Sequence, residues 1–153
     1  MVMGDKLYLS EFFGARSYHY GFYEVEPKLQ MLINNTYRIE LKTKYFNAAN
    51  LAEYGGESSR NLEFGSEVKY TKSTKGTVNA AVSYIKVKYD GVASSTLGYE
   101  LLRGLQNGNN ATWKMGYQRT MSNNIQVIIS YDGRKSESSP VIHIGRLVAR
   151  YLF

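Results

Sequence analysis

Only two histidines, His19 and His143, stand in the 153 residues, and they bound the acid–base chemistry available near neutral pH. His143 follows Asp132, Ser138 and Ser139 in the chain, so serine hydrolysis is the first chemistry to weigh. The spacing does not sustain it. Loop serines and a turn aspartate are ordinary occupants of such a stretch, and no nucleophile–base pair is defined. Neither histidine has a metal-ligand partner two or four residues on, and the absence of cysteine excludes thiolate sites and disulfides. The glycine-containing stretches "EYGGESS" and "GLQNGNN" lack the spacing and the strand–helix context of a phosphate loop. Within "DGRKS", Arg134 and Lys135 could meet an anionic headgroup, but an ordinary polar turn is the better explanation. The expectation is no catalysis, no cofactor and no metal.

The elements that would position these residues are strands. Fourteen tyrosines and fourteen glycines with two prolines form a β-rich composition. A net charge of +6 would admit nucleic acid, yet acidic residues such as Glu63 and Glu67 interleave with the lysines and no basic run exists. No apolar run is long enough for a membrane helix. The opening "MVMGDKLYLSEFF" has no basic region followed by an apolar stretch, so this sequence would be a mature form or a part of an exported protein. The length fits one domain, residues 1–153.

Alternation with period two marks the strands. Tyr37, Ile39, Leu41, Thr43 and Tyr45 interleave with Arg38, Glu40, Lys42 and Lys44. Leu62, Phe64, Ser66, Val68 and Tyr70 interleave with Glu63, Gly65, Glu67 and Lys69. Val78, Ala80, Val82 and Tyr84 continue the theme until the phase slips to Ile85, Val87 and Tyr89, which predicts a β-bulge or a strand leaving its layer. Further strands carry Trp113, Met115 and Tyr117, then Ile125, Val127, Ile129 and Tyr131, and finally "HIGRLVARYLF". A less regular strand over 17–33 is interrupted by Pro27, and residues 5–13 form a short candidate.

Tight turns at 34–36, 73–76 and 122–124 alternate strictly with long links at 47–61, 90–110 and 132–140. An up-and-down meander therefore gathers every short turn at one end and every long loop at the other, the asymmetry of membrane barrels. A short helix at "LGYELLRGL" would be decoration of one long loop. The apolar face holds too many rings to fit inside an eight-stranded barrel, whereas lipid gives them room. Tyr37, Tyr70, Tyr151 and Phe153 lie near the short turns, and Tyr45, Trp113 and Tyr131 near the long loops, as two interfacial belts would. His143 shares this parity and is expected at the outer rim as an anchoring aromatic. Almost no charge is expected on the apolar face apart from Arg119, next to a short turn, where it can snorkel. On the other face Arg38, Glu40, Glu63, Glu67, Arg146 and Arg150 form a predicted lumen-facing network, in which Arg146 and Arg150 are expected to pair with the carboxylates.

The ending resembles the C-terminal signal strand of bacterial outer-membrane β-barrels: Phe153 is terminal, Tyr151 stands two before it, and Gly145, Leu147 and Ala149 share their parity. The stretch from Leu97 onward, with "LGYELLRGLQNGNN", "TW", "MSNN", "YDGRKS", "HIG" and "RYLF", is similar to the end of large outer-membrane proteins of the Bacteroidota. The resemblance implies a Gram-negative outer membrane, contact with lipid and recognition of the last strand by the barrel-assembly machinery. It implies no activity.

The expectation is thus an all-β protein, an antiparallel up-and-down meander forming a transmembrane β-barrel of about eight strands. Either residues 5–13 complete a small barrel, or the chain is the C-terminal part of a larger, porin-like one whose upstream strands are missing. Its role would be structural, binding or transport. The alternative is a soluble β-barrel with its apolar face turned inward around an apolar ligand.

Overall fold

Each alternating segment becomes a strand because pairing with its neighbour places all its apolar side chains on one side of the sheet. The computed structural model describes residues 1–8, 17–72, 76–102, 104–121 and 124–151. Its strands are β1 (Val2–Tyr8), β2 (Tyr18–Val25), β3 (Lys28–Ile33), β4 (Tyr37–Asn50), β5 (Ser58–Lys72), β6 (Gly76–Asp90), β7 (Gly108–Thr120), β8 (Ile125–Ser136) and β9 (Ile142–Tyr151). Among the described residues one α-helix, α1 (Thr96–Leu102), lies in the link between β6 and β7, and a 3-10 turn (Ala52–Tyr54) lies between β4 and β5. The sheet is antiparallel throughout, in the order β1-β2-β4-β5-β6-β7-β8-β9, with β3 also paired to β4. Among the described residues no pairing joins β1 to β9.

The strand expected over 17–33 is two pieces in one register frame. Val25 pairs with Tyr45 and Lys28 with Lys42, leaving Glu26 and Pro27 opposite Lys44 and Thr43. Pro27 has no N–H to give the ladder, which breaks there, although its carbonyl still accepts from Thr43 N at 3.1 Å. Counted together, β2 and β3 occupy one of eight positions in the sheet order. The strand expected over 5–13 begins earlier, at Val2, and residues 9–13 lie outside the described residues. At the turn between β3 and β4, Asn34 and Asn35 take φ of 48° and 50°. Two successive positive φ values suit the right-handed twist of a hairpin, and asparagine tolerates them better than most residues.

The phase slip after Tyr84 has a different cause from the one expected. Phe64 pairs with Tyr84 and Glu63 with Ile85 in an unbroken register, so there is no bulge. What changes is the environment. Above Tyr84 the inner face stops meeting charges and meets α1 instead. Leu97, Leu101 and Leu102 of α1 pack with Tyr18, Tyr20, Phe46, Ala48, Ile85, Val87 and Tyr89, all buried, in the one hydrophobic core of the described residues. The helix expected as loop decoration is therefore a core element. Ser95 caps it, its Oγ accepting from Gly98 N at 2.9 Å, and Leu97 and Leu101 share a face one turn apart.

Candidate functional site

The register assembles two chemically different faces. On the first, Tyr37, Tyr70, Val78, Tyr117, Ile129 and Leu147 form one cross-strand row. The next row toward the long loops is Ile39, Val68, Ala80, Met115, Tyr131 and Gly145, followed by Leu41, Ser66, Val82, Trp113, Gly133 and His143. No Asp, Glu, Lys or Arg stands in these rows, and their large apolar side chains are open: Leu41 is 51 %, Val82 53 %, Met115 56 % and Leu147 72 % exposed. These side chains form a contiguous apolar surface across six strands. Cations return just outside it. Lys72 and Arg119 stand one same-face step beyond Tyr70 and Tyr117, on the short-turn side.

The upper aromatic limit descends obliquely. Tyr45 shares a row with Leu62, Lys86 and Asn109, whereas Trp113 lies four residues and the row of Tyr131 six residues below that row, the last after four strand steps. Six residues over four steps is about 5 Å along the strand for each ~4.8 Å between strands, a slope of about 45°. Strands of a barrel tilted by roughly that angle would carry such a line level around the barrel axis. Rings along it touch: Tyr23 and Tyr45 lie 5.5 Å apart between centroids, Trp113 and His143 6.2 Å, and Tyr131 and His143 5.9 Å. Trp113 lies flat over Gly133, where a Cβ would come within 2.1 Å of its Cε2. That glycine is needed for close approach, as is common beside aromatic residues in sheets.

His143 shares the apolar face with Trp113 and Tyr131, and its Nδ1 lies 2.7 Å from the Tyr131 hydroxyl. Asp132 has the opposite parity and faces away, and the Ser139 hydroxyl accepts from Gln106 Nε2 at 2.7 Å. The three are not convergent. Arg134 and Lys135 are likewise split between faces: Arg134 donates to Gly104 O at 3.3 Å, and Lys135 to Ser139 O at 2.7 Å.

The second face carries the charges. Arg38 opposes Lys69, Glu40 opposes Glu67 and Lys42 opposes Gly65. Arg38–Lys69 and Glu40–Glu67 are like-charge rows whose opposite charges stand in adjoining rows, so attraction there runs diagonally, whereas Lys44 faces Glu63 directly. Lys42 Nζ reaches Glu63 at 2.9 Å, crossing Gly65, where an added Cβ would meet Lys42 Cε at 2.6 Å. Lys44 meets Glu24 at 2.8 Å and Glu26 at 3.8 Å, and Lys28 meets Glu26 at 2.9 Å. Glu24, Glu26 and Lys28 were not in the expected network, although their alternation with Tyr23, Val25 and Leu29 was a usable signal. Arg146 and Arg150 share this face, in register with Ser130 and Gln126. Their expected pairing with Glu40, Glu63 or Glu67 is not present among the described residues: β9 lies four strand steps from β5, and Glu63 is taken by Lys42.

Between the charges and the core lies a groove of about 500 Å³ lined by Glu40, Lys42, Glu63, Glu67, Ser83 and Lys114. The long-loop half of this face is filled. Tyr8, Tyr18, Tyr20, Phe22 and Phe46 form a chain of ring contacts with centroid spacings of 5.3 to 6.0 Å. Lys6 ties β1 to α1 through an ion pair with Glu100. The buried polar groups are satisfied: Asn110 Oδ1 accepts from Ser136 Oγ at 2.7 Å, and Asn50 Nδ2 donates to Tyr54 O and to Glu57, each at 2.7 Å.

Of the expected insertion-signal residues, Gly145, Leu147, Ala149 and Tyr151 share the apolar face of β9, in register with Tyr131, Ile129, Val127 and Ile125. Phe153 lies outside the described residues. Among the described residues no cluster of three or more metal-ligating side chains occurs, and no helix is long and apolar enough to cross a membrane, which says nothing of strands. Compared with known proteins, the chain matches no family model, no curated protein and no solved structure.

Proposed function

We propose that the chain is an integral β-barrel protein of the bacterial outer membrane, or the C-terminal part of one, with a structural, binding or transport role and no catalysis. One observation carries the reading: an exposed apolar band without charge, limited by aromatic rings along a line sloping as tilted transmembrane strands would require. A lysine or arginine in the middle of such a band would cost roughly 2–4 kcal/mol, and the chain places its cations just beyond it. The inner charges suit the wall of a wet or salt-bridged interior. The apolar-ligand alternative has less support, because it needs the apolar face turned inward, whereas α1 and the buried core pack against the opposite, charge-bearing face.

On this reading β9 is the strand recognised by the barrel-assembly machinery, with Leu147, Ala149 and Tyr151 presenting the signal. The Bacteroidota assignment belongs to the same proposal and rests on the sequence pieces from Leu97 onward. Fractionation of expressing cells tests it: the protein should stay with the membrane through a carbonate wash and leave only with detergent. Release by carbonate alone would overturn the reading.

A further inference from the structure

We infer that a cationic strip on the outward face binds phosphate-bearing lipid headgroups in the leaflet on the long-loop side; this rests on the membrane reading above. The strip is Arg60 on β5 with Lys86 and Lys88 on β6. Arg60 opposes Lys88 directly, and Lys86 opposes Leu62 in the row of Tyr45. All three side chains are exposed, and no ion pair engages them among the described residues.

Two like charges placed opposite each other across a ladder repel, and although Asp90 stands one same-face row away, no ion pair among the described residues relieves this pair. A bound anion would. The order of chemistry along the face says which anion. From the short turns upward come apolar residues, then the rings of Phe64 and Tyr84, then Lys86 in the row of Tyr45, and then Arg60 and Lys88. Only in the next row do carboxylates appear, with Asp5 opposite Gly21 and Asp90 opposite Ser58. Hydrocarbon, interface and phosphate follow one another in that order when a bilayer leaflet is crossed from its centre. The strip is continuous with the lipid-facing band and faces away from the inner groove, so the occupant is a lipid rather than a solute in the interior.

The test uses the full chain folded into vesicles of phosphatidylcholine, with and without phosphatidylglycerol, and then extracted in detergent for native mass spectrometry of retained lipid. The wild type should retain phosphatidylglycerol in preference to phosphatidylcholine. Each cation neutralised should weaken that retention about five-fold, and Arg60→Gln/Lys86→Gln/Lys88→Gln together roughly a hundred-fold. Should the triple variant not fold, the single variants carry the same comparison. Arg146→Gln/Arg150→Gln, on the opposite face, should leave the preference intact. Equal retention by wild type and the strip variants would overturn the inference, as would equal loss in the inner-face variant. Inorganic phosphate that competes with phosphatidylglycerol at equal concentration would reassign the strip to a soluble anion and sink the lipid assignment. Insertion without lipid preference refutes the strip alone; failure to insert into either vesicle refutes the membrane reading and the strip with it.

Discussion

Leu41→Arg separates a lipid-facing sheet from a water-facing one more sharply than any other single change. Leu41 stands four residues from Tyr37 and four from Tyr45, on their face of β4, in register with Ser66 and Leu29. Four residues are about 14 Å along the strand, or about 10 Å along the membrane normal at a tilt of about 45°. The position is therefore near the middle of the band, where arginine costs roughly 2–4 kcal/mol, a factor of about 30 to 900 in the folding equilibrium. On a sheet facing water the same half-exposed side chain would change stability by about 0.5 kcal/mol or less. Ala49→Arg is the matched control, because Ala49 shares the face and the strand but lies two same-face steps beyond Tyr45. It should cost at most about 1 kcal/mol. Urea titration of folding into phospholipid vesicles, followed by the electrophoretic shift of the folded form, reads both variants. Equal costs at Leu41 and Ala49 would refute the depth argument.

The opposite faces of β9 should respond differently. Leu147→Arg should impair insertion, while Arg146→Leu should be tolerated better; equal effects would contradict the assigned faces. Leu101→Ala removes a side chain that is 1 % exposed in the core between α1 and the sheet. A loss of about 2–5 kcal/mol is expected in a thermal or denaturant melt, and a loss below about 0.5 kcal/mol would show that α1 does not pack there. Gly133→Leu puts side-chain atoms where the Trp113 ring lies, and Trp113 is the single tryptophan. Its emission maximum should shift; an unchanged spectrum in the folded variant would contradict the stacked placement.

The strands and their faces were legible because period-two alternation is local, and the observed registers bring Tyr37, Leu41, Phe64, Val82, Trp113 and Leu147 to one side as that alternation required. Two other features were not. Ile85, Val87 and Tyr89 looked like a slipped phase, because alternation reports only contrast with whatever environment each side meets. The environment here is α1, which arrives from the following loop. A seven-residue helix among polar loop residues gives little warning that three of its leucines will be buried. The inner ion pairs depended on register as well as parity. Lys42 meets Glu63 rather than the facing residue, Gly65, and Arg146 is separated from Glu63 and Glu67 by the width of the intervening strands. No local pattern reports a distance across a sheet.

Fluorescence quenching of Trp113 by brominated phospholipid tests the central claim most directly. Trp113 is the single tryptophan, and it stands on the apolar face near the long-loop aromatic limit. In vesicles made from lipids brominated at different acyl positions, the native protein should be quenched most by bromines near the headgroup end of the chains and less by those near the bilayer centre. Aqueous acrylamide should quench it weakly. No quenching by any brominated lipid, together with strong quenching by acrylamide, would mean that this face meets water and would contradict the account.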